Sequence, residues 1–430
     1  MKKKLIMVCL LFIALISGCA KKDAAANVED KPTIKLAVCS GAGLLHEDKI
    51  WEINEGDYPY SVEIVDYLEA ADGDISLAVK NLNKELAAGD GPDMIDLSSF
   101  PLDVDLYASK GVFENLYPYL DSDEGLSRSD FIQSILSSCE YDGKLVSIMS
   151  GFNIKTMYVT TDILKGHSTW SVTDFYPYIG RIGEAYLESN DCIDTQTLLS
   201  QMCATSFNSF VDYKNKRVSF DSPIFIDLLE HCTSQETSKN NGIIVGRLAS
   251  VSDFMEHQFR ENAMGGEIKY IGFPTLDGSS SGNYINNQTD YFAICSNSDK
   301  KDVCWKFIRE FLTDQFQTET YVCPVARAFP TNVHTLDQMV QYSMESIYDE
   351  NNSEITIRSM YPYACRPAGK EEINQILELI DSLENSQRTD IVLQNIIEEE
   401  LATFLSGNQD AATTAGMIQN RVGIYVNEIG

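Results

Sequence analysis

From residue 33 onward the apolar positions change period several times, and those changes outline the elements. Thr33 to Cys39 is a β-branched run ending in Ser40-Gly41-Ala42-Gly43, the pattern of a strand running into a turn. Leu45 to Asn54 suits a helix, and Ser61 to Tyr67 alternates with period two, a second strand. In Asp74 to Ala88, the residues Ile75, Val79, Leu82 and Leu86 fall at spacings of three and four, predicting an amphipathic helix that starts after Gly73 and stops at Gly89. Pro92 to Leu97 then gives a third strand and Val104 to Lys110 another helix. This succession predicts an α/β unit with a mainly parallel sheet.

Near residue 140 the pattern changes. Asp142-Gly143 opens a turn, after which Lys144 to Met149 and Ile154 to Thr160 read as two strands flanking Ser150 to Asn153. Thr173 to Phe210 reads as helices, with Val172, Phe175, Ile179, Ile182 and Tyr186 at helical spacing. Strand patterns return at Tyr270 to Phe273 and Tyr291 to Cys295. Helices close the chain at Val303 to Leu312, Glu371 to Leu383, Ile391 to Leu405 and Ala411 to Glu428. No internal repeat is visible, which argues against a solenoid. Two α/β lobes, with the chain crossing between them more than once, fit this order.

The N-terminal segment has a different character. Lys2, Lys3 and Lys4 precede an apolar run from Leu5 to Ser17, too short to span a bilayer comfortably and suited to an export signal. The run ends Ile16-Ser17-Gly18-Cys19, which resembles the bacterial lipobox, so Cys19 is the expected lipidation site and mature N-terminus. Residues 1–18 are thus read as a lipoprotein signal peptide, and 19–32, small, charged and poor in apolar residues, as a flexible tether. The expected organisation beyond is a first lobe over 33–150, a second lobe over 151–290, a return to the first lobe over 291–345, and a helical region over 346–430 packing on both.

Charge and cysteine content narrow the function classes. Among 430 residues, 33 Lys and Arg face 64 Asp and Glu, a formal net charge of −31 with no basic stripe, which opposes nucleic-acid binding. The scattered carboxylates read as a soluble extracellular surface. Of the 11 cysteines, Cys9 and Cys19 lie in the export signal. The odd remainder excludes a full disulfide framework, and no Cys/His spacing suits zinc. Cys39, Cys295 and Cys304 sit among apolar residues as small buried hydrophobes, and a Cys192–Cys203 bridge stays open.

Five segments in order resemble one family: Leu86 to Ile95 (LAAGDGPDMI), Tyr107 to Leu116 (YASKGVFENL), Tyr270 to Pro274 (YIGFP), Tyr291 to Ile294 with Trp305 to Ile308, and Ala411 to Glu428. Each motif is loose alone; their order and spacing resemble the extracellular solute-binding proteins, family 1, of carbohydrate ABC importers in Gram-positive bacteria. The resemblance implies a two-lobed periplasmic-binding-protein-like fold of type II, α/β in both lobes, with a ligand cleft between them. It also implies closure about a hinge, delivery of a mono- or oligosaccharide to a membrane permease, a monomer lipid-anchored at the outer face of the cytoplasmic membrane, no cofactor and no metal.

Candidate ligand-binding residues follow from strand ends and crossovers. Ser40 and Gly41 end the first strand and either offer donors or form a plain turn. Ser98, Ser99 and Phe100 follow the third strand, at the carboxyl edge where open α/β sheets bind ligands. Relatives often carry a Trp or Asp after that strand; here Leu97 and Phe100 stand there. Phe152 and Asn153 lie at the expected first crossover. Trp170 resembles the family's packing Trp ahead of a helix, and core and cleft roles both remain open. Phe207, Asn208 and Phe210 form an aromatic-amide cluster suited to a sugar platform. Tyr361 and Tyr363 occupy the stretch that the resemblance assigns to a stacking aromatic.

Catalytic motifs are not evident. Gly278-Ser279-Ser280-Ser281-Gly282 matches G-x-S-x-G literally, but polar turn sequence surrounds it instead of a strand and a helix. The five His are isolated, and Asp72-Gly73-Asp74 lacks the rest of a calcium loop. Two alternatives share these features: a lipoprotein presenting ligand to a membrane sensor, and a secreted carbohydrate-active enzyme, which needs two carboxylates positioned across a cleft.

Overall fold

The computed structural model describes residues 31–40, 47–164, 166–183, 192–236, 244–286, 289–323, 327–345, 366–387 and 390–428. Cys19, Gly41, Tyr361 and Tyr363 lie outside the described residues.

The first sheet has five strands in the order Ser61–Asp66, Thr33–Val38, Met94–Asp96, Tyr291–Ile294, Ile148–Met149. Its first three strands pair in parallel, as β-α-β sequence demands, and the last two join antiparallel. The helix between the second and third strands is Ile75–Ala88, capped by the Asp74 carboxylate accepting from Leu77 N and ended by Gly89 at φ 79°. Its Ala78, Val79 and Leu82 are buried against the lobe.

Asp93 anchors the entry to the third strand. Burial works against its ionisation, but Ser298 Oγ at 2.6 Å, Lys35 N at 2.8 Å and Lys300 Nζ at 3.0 Å all donate to it, and these win, holding the carboxyl below its usual range. The Gly-Pro-Asp turn therefore clamps the first strand, the third strand and the Lys301–Leu312 helix together.

The second sheet is organised around one long strand, Gly151–Thr160. It pairs antiparallel with Phe329–Pro330 at its start, Tyr284–Asn286 next, Gly246–Val251 along most of its length, and Ile268–Tyr270 at its end. Ile182–Gly183 and Asn385–Ser386 add in parallel at the two edges. A mixed, mainly parallel sheet was expected in each lobe; parallel pairing prevails among the first three strands of the first sheet, whereas the second sheet is antiparallel about its central strand and parallel only at its two edges.

Alternation along that strand divides the core. Phe152, Ile154 and Tyr158 join the cluster that continues from the first sheet, whereas Met157 and Val159 face a second cluster. That second cluster is roofed by the C-terminal helices Ile391–Leu405 and Ala411–Glu428, which pack on Thr195–Cys203 and Pro223–Glu236.

Sequence pattern and structure part company mostly beyond residue 143, where the expected Lys144 to Met149 strand is already split into Lys144–Leu145 and Ile148–Met149. Ser150 to Asn153, placed between two expected strands, leads straight into the long strand, which already begins at Gly151. Gly151 is needed there for closeness: a Cβ would stand 2.6 Å from the Tyr321 ring. The helical reading of Thr173 to Phe210 holds in its second half, with the helix Thr195–Cys203 and the 3₁₀ turn Ser206–Phe210, but its first half breaks up into Val172–Phe175, a 3₁₀ turn Tyr176–Tyr178 containing Pro177, and the strand Ile182–Gly183, with Gly180 at φ 78° between the last two. Helices Pro223–Glu236, Glu256–Met264, Asp314–Tyr321 and Val333–Met344 and the strand Gly246–Val251 were not expected. Cys39, Cys139, Cys203, Cys295, Cys304 and Cys323 form no disulfide, so the Cys192–Cys203 bridge is not made, and burial raises the thiol of Cys295 to about 12.

Candidate functional site: the cleft between the two sheets

The chain leaves the first sheet at Ser150–Gly151 and returns to it through Asp290–Tyr291, so both crossings lie side by side. They are bound together. Ser150 N donates to Asp290 O at 3.2 Å, Ser150 Oγ donates to Asp290 Oδ2 at 2.9 Å and shares a 2.6 Å contact with the Tyr321 hydroxyl. Thr331 donates its backbone N to Ser150 O and its Oγ1 to Met149 O, both at 3.0 Å. Nearby, burial drives the Asp96 carboxyl up to about 6; hydrogen bonds from Ser98 oppose the rise and the Asp290 carboxylate adds to it.

Beside these crossings opens a cleft of about 610 Å³. One wall comes from the first lobe. Past the Met94–Asp96 strand, Ser98 donates to Asp96 Oδ1 through N and Oγ, while Ser99 Oγ donates to Asp96 O at 3.0 Å and accepts from Cys39 N at 3.1 Å. Ser99 therefore ties the ends of the first and third strands into one rim. Phe100 packs its ring edge-on to Tyr67 at 5.8 Å and is only 4% exposed. Asp103, which caps the Val104–Ser109 helix through Leu106 N, and Asp105 follow on the same wall, with Glu140 from the small hairpin Glu140–Tyr141/Lys144–Leu145. Glu140 accepts from the Tyr117 hydroxyl, and the Arg128 guanidinium lies 3.4 Å from the Tyr117 ring centroid.

The other wall comes from the second lobe. The 3₁₀ turn Ser206–Phe210 repeats every three residues, so Phe207 and Phe210 point one way and Asn208 and Ser209 the other. The two phenylalanines join Phe220 and Phe225 in a buried four-ring cluster, with centroids 5.1–6.4 Å apart. Asn208 and Ser209 line the cleft. Thr275, Tyr284 and Asn286 continue this wall, and Glu384 through Gln387 close it along the sheet edge, where Gln387 N donates to Ile285 O at 2.7 Å. At the lip the lobes touch: Lys214 Nζ lies 3.0 Å from Asp142 Oδ1, and Tyr213 packs against both core clusters.

Of the expected site residues, the structure brings Ser98, Ser99, Phe100 and Asn208 together on the cleft. Ser40 is half-buried at the end of the first strand and is not among the residues lining it. Four others are corrected to packing roles. Phe152 is fully buried against Phe329, which in turn meets Phe254 edge to face. Trp170 is enclosed by Phe175 and Tyr178, its Nε1 donating to Gly272 O at 2.8 Å. Phe207 and Phe210 belong to the ring cluster. An aromatic ring in a chain of this size finds more contact in a core than at a rim, and these four do. Asn153 is paired in register with the cleft residue Asn286 but does not line the cleft itself.

Missed by the sequence reading were Asp103, Asp105, Glu140, Thr275, Tyr284, Asn286 and residues 384–387. The signals available were faint: an Asp at a helix start, and the polar run Glu384-Asn385-Ser386-Gln387 directly after an apolar helix. Among the described residues no helix is long and apolar enough to cross a membrane.

No family model and no curated protein matches the sequence. Solved structures do. An ABC substrate-binding protein from Listeria monocytogenes in complex with cycloalternan matches with TM-score 0.53 at 14% identity, over 93% of this chain and 99% of that one. The sugar-binding protein MalE from Xanthomonas citri gives TM-score 0.53 at 13% identity over 92% and 98%. An extracellular solute-binding protein family 1 structure from Alicyclobacillus acidocaldarius gives 0.50 at 15% over 93% and 100%. Identity this low speaks to architecture, and the chain has the two-lobed α/β fold of these sugar-binding and solute-binding proteins.

Proposed function

We propose that this protein captures a small hydroxyl-rich solute, a mono- or oligosaccharide, outside the cell and delivers it to the permease of an ABC importer. The observation that carries the reading is the cleft itself. It is bounded by both lobes beside paired crossovers, and lined by hydroxyl, amide and carboxylate groups held on strand ends and turns. Such groups replace water around sugar hydroxyls, and the crossovers supply the place where two rigid halves can rotate. The cycloalternan bound in the Listeria structure and the description of the Xanthomonas protein as sugar-binding support the ligand class.

Recognition rests on hydrogen bonding more than on ring stacking, since Phe100, Tyr284 and Tyr291 are each at least nine-tenths buried. Capture and release is the event, without bond cleavage. The N-terminal Lys2–Lys4, apolar run and Cys19 support a lipid anchor on the outer face of the cytoplasmic membrane. A thermal-shift screen of the folded body against mono- and oligosaccharides, amino acids and polyamines tests the reading: a sugar should raise the midpoint. Product analysis after prolonged incubation should return that sugar intact. Cys19→Ala should abolish lipid labelling and release the protein from membranes; retention with unchanged processing overturns the anchor.

A further inference from the structure

By spacing, Ile75 belongs to the apolar stripe of its helix with Val79, Leu82 and Leu86. In the structure Val79 and Leu82 are buried with Ala78, whereas Ile75 is 41% exposed and lines the cleft. The stripe therefore runs past the core of the first lobe and shows its leading aliphatic side chain to the ligand space. Val104, which opens the Val104–Ser109 helix, and Pro101 just before it are half-buried on the same wall. The facing wall presents hydroxyl and amide groups from Asn208, Ser209, Thr275, Ser280 and Asn286, and its Tyr284 ring is buried. Among the described residues, the exposed aliphatic surface of the cleft thus comes from the first lobe alone.

Such surface gains when it meets apolar ligand atoms, and a hydroxyl pressed against it loses water without finding a partner. The broad C–H face of a sugar ring is matched by a flat aromatic face, but the rings that line this cleft, Phe100, Tyr284 and Tyr291, are all buried. A branched aliphatic side chain is matched in size by a methyl group instead. We propose that Ile75 is a specificity residue for a sugar with a methyl group at C6 in place of a hydroxymethyl: a 6-deoxyhexose, alone or at the end of an oligosaccharide. This rests on the capture reading above and narrows its ligand class.

The test is a calorimetric titration of the full-length folded protein with pairs that differ only at C6: D-fucose and D-galactose, 6-deoxy-D-glucose and D-glucose, L-rhamnose and L-mannose, 6′-deoxymaltose and maltose. In every pair that binds, the deoxy member should bind at least about tenfold tighter. Ile75→Ser should narrow that ratio several-fold. Leu77→Ser, at a side chain also 41% exposed on the same helix but not among those lining the cleft, should leave it unchanged. The ratio is insensitive to a loss of folded protein, which lowers both members alike. Hydroxymethyl sugars binding as tightly as their deoxy partners, or a wild-type ratio in Ile75→Ser, overturn the inference and leave carbohydrate capture standing. So does a protein that binds other sugars but no member of these pairs. Binding of no sugar of any kind overturns the capture reading itself.

Discussion

The paired crossovers and the cleft beside them are both rich in polar groups, yet they use them in opposite ways. At the crossovers Ser150, Asp290, Tyr321 and Thr331 are buried and bond to one another or to backbone carbonyls. In the cleft Ser98 Oγ and Asn208 Nδ2 each keep a bond to the protein, to Asp96 Oδ1 and Ala204 O, but these two residues with Glu384 and Gln387 border open space. The first arrangement rigidifies; the second is left for a ligand to complete. Polar residues alone therefore do not mark a site, and the question that separates the two regions is where each hydrogen bond ends.

The turn Ser206–Phe210 holds both behaviours within three residues, and substitutions there break or sharpen the contrast most strongly. Phe207→Ala opens a void in the four-ring cluster and should lower stability by about 3–5 kcal/mol in urea unfolding. Asn208→Ala, its immediate neighbour, should change stability by less than about 0.5 kcal/mol while weakening sugar binding about five- to tenfold. Equal effects on stability would erase the distinction drawn here.

A titration separates the regions next. Asp96 is raised to about 6 in the folded protein, against the usual carboxylate range near 4 when unfolded, so the folded state holds its proton over that interval and the unfolded state does not. Stability should accordingly fall as pH rises from about 4 to 6, by on the order of 2 kcal/mol, and Asp96→Asn should remove that part of the slope. At the crossover, Gly151→Ala places a methyl against Tyr321 and should cost about 1–3 kcal/mol with a matching drop in thermal midpoint. The smallest effect belongs to the lip: Asp142 and Lys214 are both exposed, so Asp142→Ala should leave the unfolding midpoint where it is.

Much of the first lobe was legible because its strands and helices alternate with clear periods and its turns carry Gly, Pro and Asp at positions that need them. Ser98 to Phe100 could be placed on the rim for the same reason: they follow a strand that pairs in parallel with the first. The second lobe resisted. Ile154 to Thr160 of the long strand was readable, but its opening Gly151-Phe152-Asn153 was not, and the Gly246–Val251 strand beside it, almost wholly buried, gave no alternation to read. Phe207 and Asn208 look alike as site candidates in sequence; only the threefold repeat of a 3₁₀ turn separates them. The carboxylates of the cleft were unreadable because Asp105, Glu140 and Glu384 are brought together by folding from three distant segments.

Isothermal titration of a sugar found by the thermal screen, into wild type and Asn208→Ala side by side, bears most directly on capture between the lobes. One site per chain is expected, with affinity lost in the variant while its unfolding curve stays the same. Undiminished binding in a double variant lacking both the Ser99 and Asn208 side chains would place the ligand elsewhere and contradict the account.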